Sequence, residues 1–175
     1  TVLAGVAEEV PTLDLDDLSA LADSDDEHPA KPWMMPGLFR LGETLIVTGV
    51  EGLGKSTFLR QSAVCVASGL HPFTGLRDDM PDGPRRVLVV DLQEDEIDLA
   101  HEMRALRRSA GQAYRRGMLK ATSRPQGMNL LEPRDQRWLR SLLAGHHPEL
   151  VVMGPLVRLY RSTGGRSRYD EDLVD

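Results

Sequence analysis

The chain has 175 residues, of which 41% are hydrophobic and 27% are charged, and it carries a formal net charge of −6. This length and composition fit one globular domain with a short tail, and they exclude a chain that is disordered or fibrous throughout. No apolar run reaches the ~18 residues needed to cross a bilayer, and the first 30 residues are acidic, unlike a secretory signal. We therefore expect a cytoplasmic protein without a membrane span, whose core needs no disulfide.

The acidic charge is concentrated at the N-terminus. Residues 1–31 carry nine acidic side chains and one lysine, a charge of −8, whereas residues 32–175 carry 18 acidic and 20 basic side chains, a charge of +2. The acidity of the whole chain therefore does not exclude an anionic partner for its larger part. We predict a mostly mobile acidic segment over residues 1–31 and one folded domain over residues 32–175.

The larger part of the sequence alternates between predicted strands and predicted helices. An ordered entry loop comes first, over residues 29–37, where three prolines exclude a helix. The predicted strands are four short apolar runs, at residues 44–48, 86–91, 118–122 and 150–153. The predicted helices have apolar residues at helical spacing, at residues 55–68, 95–110 and 132–144. This alternation predicts an α/β fold, a three-layer sandwich with a parallel sheet, because right-handed crossovers join parallel strands.

A glycine-rich motif lies between the first predicted strand and the first predicted helix. It matches the phosphate-binding P-loop pattern G-x-x-x-x-G-K-[ST] in full, and its residues are Gly49, Val50, Glu51, Gly52, Leu53, Gly54, Lys55, Ser56 and Thr57. Glycines let the backbone fold around phosphates with N–H groups pointing inward, and the helix adds its positive dipole end. Lys55 is predicted to contact the terminal phosphates and the Ser56 hydroxyl to ligate Mg²⁺. We therefore predict that this motif binds ATP with Mg²⁺.

The elements around the P-loop resemble those of the RecA-like P-loop ATPases of the RepA and DnaB replicative-helicase group, particularly the phage and plasmid AAA-family members. The similar features are an acidic cluster after strand 86–91, a late strand at residues 150–156, the entry loop at 33–38, and residues 71–75 after the P-loop helix. The resemblance covers about residues 32–175. It implies a RecA-like ATPase domain whose C-terminal part is missing from this chain, and a motor function in DNA replication or recombination. It also implies a homo-oligomeric ring and contact with single-stranded DNA.

Hydrolysis needs a group that orients the attacking water, and the resemblance implies a glutamate after the second strand. Alignment places Gln93 there, with Glu94 one residue later. Glutamine can orient water but cannot act as a base, so either Glu94 takes the role or hydrolysis is slow. Where the late strand of the family ends in a metal-associated aspartate, this chain has Gly154, which weakens the hold on the water shell of Mg²⁺. We expect an Mg²⁺-dependent ATPase with Lys55, Glu94 and Gln93 as its catalytic residues.

Several other residues have two interpretations. Asp91 is either a contact of the metal's water shell or a cap of the turn after its strand. Trp33 either stacks on the adenine or pins the entry loop to the core. One arginine group forms either a solvated helix face or a contact with nucleic acid or a neighbouring subunit, and it consists of Arg104, Arg107, Arg108, Arg115 and Arg116. For a second group, the resemblance implies contact with phosphates of single-stranded DNA, and contact with the γ-phosphate of a neighbouring subunit is equally compatible. This group consists of Arg158, Arg161, Arg166 and Arg168.

Two other functions remain open. A P-loop kinase that phosphorylates a small molecule would need an arginine-bearing lid over the acceptor, for which Arg115 and Arg116 are the compact candidates. A nucleotide-dependent regulator or loader would bind ATP and hydrolyse it slowly, which Gln93 and Gly154 favour. Stimulation of ATP turnover by single-stranded DNA would favour the motor over both.

Overall fold

The computed structural model describes residues 31–80 and 82–159. It begins with a small antiparallel hairpin, in which strand β1 (Trp33–Met35) pairs with strand β2 (Phe39–Arg40). The entry loop predicted over residues 29–37 is therefore partly a strand. Prolines lack a backbone N–H, but Pro32 and Pro36 flank β1 and lie outside its pairing with β2, whose register shifts between Trp33 and Met35.

The central sheet has three parallel strands in the order β4-β3-β5, and these are Val87–Asp91 (β3), Leu119–Ser123 (β4) and Leu150–Gly154 (β5). All five residues of β3 are buried, because the strand lies between two neighbours and is covered on both faces. Such continuous apolar runs are typical of parallel strands. The predicted α/β fold with a parallel sheet is confirmed.

Three helices cover the sheet, and they are Lys55–Ser68 (α1), Glu96–Ala110 (α2) and Pro133–His146 (α3). Val87 and Val89 of β3 pack in one core cluster with residues of α1, and Met103 of α2 packs against it. Leu88 and Val90 point to the opposite face, where they pack with apolar residues of α3. The alternation of side chains along β3 therefore separates two helical layers, which gives the predicted three-layer sandwich.

Short-range signals account for the ends of the first two helices. Gly54 precedes α1 and Gly69 ends it, and both glycines have left-handed backbone angles. Asp95 caps α2 because its carboxylate accepts the N–H groups of Ile97 and Asp98, at 2.8 and 2.9 Å. A later part of the chain, at Pro84, returns close to the end of α1. A Cβ added to Gly69 would lie 2.9 Å from the backbone nitrogen of Pro84.

The strand predicted over residues 44–48 is absent from the described sheet, so this prediction is wrong. The segment has no regular secondary structure, and Leu45 and Ile46 are 40% and 60% exposed. Its β-branched residues favour an extended backbone, but a strand also needs a partner for its hydrogen bonds, and composition does not specify one. Within the described chain, the outer edge of β5 has no paired strand, and the segment and β5 both line one cavity.

None of the helices in the described residues combines the length and apolarity that crossing a membrane requires. The acidic segment predicted over residues 1–31 lies outside the described part of the chain except for Lys31, and so do Arg161, Arg166 and Arg168.

Candidate active site

The P-loop residues form an exposed turn that runs directly into helix α1. Gly49, Gly52 and Gly54 have φ angles of 153°, 81° and 77°, a region that residues with a side chain rarely adopt. Gly54 caps the helix, and its carbonyl accepts the N–H of Phe58 at 2.8 Å. The three glycines therefore stand where the backbone conformation requires them.

The backbone N–H groups of this turn are free to bind a ligand. From residue 50 to residue 57, none donates a hydrogen bond to another described residue. The first turn of α1 also contains no acidic side chain. Free amides at a helix N-terminus, together with the helix dipole, favour an anion such as a phosphate group.

The Lys55 side chain folds back over the turn. Its Nζ donates to the carbonyl of Val50 at 2.6 Å, and a Cβ added to Gly49 would lie 3.7 Å from its Cδ. The next residue, Ser56, is exposed. The ammonium and the hydroxyl are therefore next to the free amides, and a triphosphate fits this donor set because all these groups bind anionic oxygen or its counter-ion.

A cavity of about 750 Å³ lies beside the turn. Its wall includes Lys55 and Ser56 of α1, and it also includes Asp91 and Gly154, which end the neighbouring strands β3 and β5. The volume is in the range of small-molecule sites, and ligands of parallel sheets bind at the carboxyl ends of the strands. The structure thus brings Lys55, Ser56, Asp91 and Gly154 together.

Gln93 and Glu94 belong to the turn that follows β3, but neither lines the cavity. Asp91 Oδ1 accepts the N–H of Gln93 at 2.9 Å and the N–H of Glu94 at 2.8 Å. Asp91 is therefore a cap of this turn, one of its two predicted roles. The Gln93 side chain is exposed, whereas Glu94 is half-buried, with its Oε1 3.8 Å from Nη2 of Arg60.

Comparison with protein families identifies the kind of domain that holds this site. A family model described as an AAA domain matches residues 9–174. The chain belongs to this AAA-domain family. The P-loop turn and the parallel sheet agree with a nucleotide-binding ATPase core. The family match does not distinguish the RepA and DnaB group, and comparison with curated proteins and with solved structures gives no significant match.

Sequence analysis missed one charged residue of the AAA domain, Arg60 on helix α1. Its side chain is only 4% exposed and forms ion pairs with Asp91 at 2.6 Å and with Glu102. The sequence contains a signal for this burial, because Arg60 precedes the buried residues Ala63 and Ala67 by three and seven positions. Such spacing places all three side chains on the same face of the helix.

Trp33 of the AAA domain does not line the cavity, and the guanidinium of Arg40 lies 4.1 Å from its ring centroid. These contacts favour the role of an anchor for the entry hairpin over adenine stacking. Arg158, predicted to face DNA phosphates, donates instead to the carbonyls of Leu92 and Pro125, at 3.2 and 2.5 Å.

The arginines on and after α2 are exposed and form no ion pair with another described residue of the AAA domain, and they are Arg104, Arg107, Arg108, Arg115 and Arg116. The guanidinium of Arg107 lies over the ring of Tyr114, 5.0 Å from its centroid. This surface is therefore positively charged and accessible.

Among the residues that the structure describes, two carboxyl groups have a lowered pKa. Burial of Asp135 opposes its ionisation, but the N–H of Asn129 and the Arg124 guanidinium outweigh this effect and hold its pKa below the ordinary value. Burial of Glu149 also opposes its ionisation. The N–H of Arg86 and the guanidinium of Arg85 outweigh this effect and hold its pKa below the ordinary value. Both groups are therefore ionised contributors to the fold at neutral pH.

Proposed function

We propose that this AAA domain binds ATP at the P-loop and hydrolyses it in an Mg²⁺-dependent reaction. The observation that carries the proposal is the row of free N–H groups at residues 50–57, next to Lys55 and Ser56 at the wall of the cavity. The turn is exposed, so water satisfies these donors in the free protein. Phosphate oxygens of ATP can replace that water, and the helix dipole favours their negative charge.

Lys55 and Ser56 have separate roles in the proposal. The Lys55 ammonium exchanges the Val50 carbonyl for the β- and γ-phosphate oxygens, and it stabilises the charge that develops as the γ-phosphoryl group leaves. The Ser56 hydroxyl would hold Mg²⁺, which when bound neutralises charge on the phosphates.

Glu94 is the proposed water-positioning group, in preference to Gln93. A carboxylate can orient water and accept its proton, whereas an amide can only orient it. Glu94 is also half-buried beside Arg60, while the Gln93 side chain is exposed. Catalytic hydrogen bonds commonly form only when substrate is bound, so the absence of Glu94 from the cavity lining is compatible with this role.

ATP binding and turnover by point variants test the proposal. We expect Lys55→Ala to lose both nucleotide binding and turnover. Glu94→Gln should lose turnover by about a hundredfold while it keeps binding, and Gln93→Ala should retain most of its turnover. A Lys55→Ala variant with normal binding and turnover would refute the site, and a loss confined to Gln93→Ala would refute the assignment of Glu94.

Two variants outside the site serve as matched controls. Lys120→Ala removes an ammonium that also donates to a backbone carbonyl, that of Gly145 at 3.1 Å. Glu96→Gln makes the same charge change as Glu94→Gln at an exposed position in the first turn of α2. Both controls are expected to bind and hydrolyse ATP as the unaltered chain does.

The work that ATP hydrolysis supports is proposed to be a motor function on DNA, within a homo-oligomeric ring. Support comes from the resemblance to the RepA and DnaB group and from the exposed arginines on and after α2, which form no ion pair within residues 31–80 and 82–159. Single-stranded DNA should stimulate ATP turnover, with an effect that weakens as salt rises because the contacts are to phosphates. The double variant Arg104→Ala/Arg108→Ala should lose this stimulation, and Arg77→Ala, at an exposed arginine elsewhere, should keep it. Sedimentation that does not change when ATP and Mg²⁺ are added would count against the ring.

A nucleotide-dependent regulator with slow hydrolysis is the second candidate. Gly154 favours it, because the residue that ends β5 has no side chain to hold the metal's water shell. Tight ATP binding with no measurable turnover in the presence or absence of DNA would select this function.

A further inference from the structure

A cluster of charged side chains connects helix α1 with the turn after β3. Arg60 lies at its centre, and its acidic neighbours are Asp91, Glu94 and Glu102. Arg60 Nη2 lies 2.6 Å from Asp91 Oδ2 and 3.8 Å from Glu94 Oε1, and Nη1 donates to Glu102. A buried guanidinium is stable only with paired acceptors, so these contacts restrain each other.

Asp91 connects Arg60 to the turn. Its Oδ2 accepts from Arg60, and its Oδ1 accepts from the N–H groups of Gln93 and Glu94. A carboxylate bound at both oxygens cannot rotate without breaking a hydrogen bond, and charge-assisted hydrogen bonds of this kind are the strong ones. The position of the turn therefore depends on the position of the Arg60 guanidinium.

Helix α1 contains both Arg60 and the proposed phosphate contacts. Lys55 and Ser56 are its first two residues, and Arg60 follows Lys55 by five positions. That separation corresponds to about 7.5 Å along the helix axis. The same rigid element thus holds the proposed phosphate contacts and the anchor of the turn.

We propose that Arg60 is a positioning residue for ATP hydrolysis, which through Asp91 holds Glu94 at a fixed place relative to Lys55. This inference rests on the ATPase function proposed above. Because Arg60 acts through the turn, its loss lowers the rate at which bound ATP is hydrolysed and leaves ATP affinity unchanged.

Arg60→Met removes the charge and the donors while it keeps a long apolar side chain. We expect kcat to fall about tenfold or more with unchanged affinity for a non-hydrolysable ATP analogue. We also expect the amides of Gln93 and Glu94 to exchange hydrogen faster. The amides of Ile97 and Asp98 are the internal reference, because an aspartate caps them in the same way without an arginine behind it.

Arg85→Met is the matched control for the loss of a buried arginine. Arg85 is 8% exposed and pairs with Asp82 and Glu149 at 2.8 and 2.9 Å, in a cluster separate from Arg60. This variant should be destabilised, yet its folded fraction should turn over ATP with the unaltered kcat. If Arg60→Met does not fold, the same measurements on Arg60→Gln decide the question.

The outcomes separate this inference from the proposed function. If the unaltered chain hydrolyses ATP and the folded Arg60 variant has an unchanged kcat, the inference is wrong and the proposed function stands. If the unaltered chain does not hydrolyse ATP, the proposed function fails, and a positioning role in hydrolysis fails with it. In a chain that does hydrolyse ATP, unchanged exchange at Gln93 and Glu94 in the Arg60 variant would also overturn the inference.

Discussion

Asp91 and Gly154 are register partners at the ends of the neighbouring parallel strands β3 and β5, and both line the same cavity. Asp91 has the only side chain of the two, and both of its carboxylate oxygens are already bound, one by Arg60 and the other by the amides of the following turn. It is therefore not free to replace the metal-associated aspartate that the resemblance to the RepA and DnaB group would place at Gly154. In the proposed ATPase, the metal depends on Ser56 and the phosphates.

Restoring a carboxylate at this position should strengthen Mg²⁺ binding. Gly154 has no atom within 4 Å of an added Cβ and is outside the positive-φ glycines, so an aspartate fits there. Groups that hold a metal's water shell commonly change affinity by tenfold or more. We expect Gly154→Asp to lower the Mg²⁺ concentration for half-maximal ATP turnover by about tenfold. Gly154→Ala is the control, and an equal shift in that variant would contradict the explanation.

A methyl group at Gly69 should destabilise the fold more than one at Gly75. The two glycines have nearly equal φ angles, 67° and 71°, so the backbone strain of about 1–2 kcal/mol is shared. At Gly69 the added Cβ would also lie 2.9 Å from the backbone nitrogen of Pro84, whereas at Gly75 it meets open space. Urea unfolding should therefore show a larger loss of unfolding free energy for Gly69→Ala, and equal losses would contradict the close contact.

Asp135 should make the stability of the domain depend on pH in the acid range. Its pKa is lower in the folded protein than the ordinary value of 3.8, so the folded state binds fewer protons than the unfolded state. The stability this provides is complete above the ordinary pKa and is lost as pH falls through the lowered pKa. We expect Asp135→Asn to cost about 2 kcal/mol at pH 7. The difference from the unaltered chain should shrink between about pH 5 and pH 2.

Asp78→Asn supplies the control for that pH series. Asp78 is exposed and has no ion pair with another described residue. Its variant should follow the unaltered chain at every pH. A constant difference between Asp135→Asn and the unaltered chain across the acid range would show that the ionised carboxylate is not the source of the stability.

Cys65 should react slowly with thiol reagents in the folded protein. Burial raises the pKa of this thiol above its ordinary value of 9.0, so the reactive thiolate is scarce at neutral pH. Alkylation by iodoacetamide at pH 7.5 should be slower in the folded chain than in the urea-unfolded chain. Equal rates in the two states would mean that the thiol is not shielded as the structure has it.

Local signals predicted helix α1 better than they predicted the sheet. The bounds of α1 match the prediction at both ends because Gly54 and Gly69 mark them within the sequence itself. The strand prediction at residues 44–48 failed because pairing depends on a distant partner, which an apolar β-branched run does not identify.

In the candidate site, too, local sequence patterns predicted some features, and contacts between distant residues determine the others. The P-loop turn follows from a contiguous motif, and its glycines have the backbone angles that the motif predicts. The contacts of Arg60 join residues that are 31 and 42 positions apart in the chain, so no local pattern could reveal them. The preference for Glu94 over Gln93 as the proposed water-positioning group likewise depends on a distant contact. In the turn capped by Asp91, the Glu94 side chain lies near Arg60 of α1.

Strand β3 has two paired neighbours in the described sheet and β5 has one, so the two strands should differ in how easily they move. β3 is buried between two strands and is joined to α1 by the Arg60–Asp91 ion pair. β5 has a single paired neighbour in the described sheet and lines the cavity together with residues 44–48. Regions with fewer paired backbone groups open at lower free energy. A ligand that reshapes this cavity will therefore displace the side formed by β5 and residues 44–48, and the side that holds the turn after β3 will serve as the fixed reference.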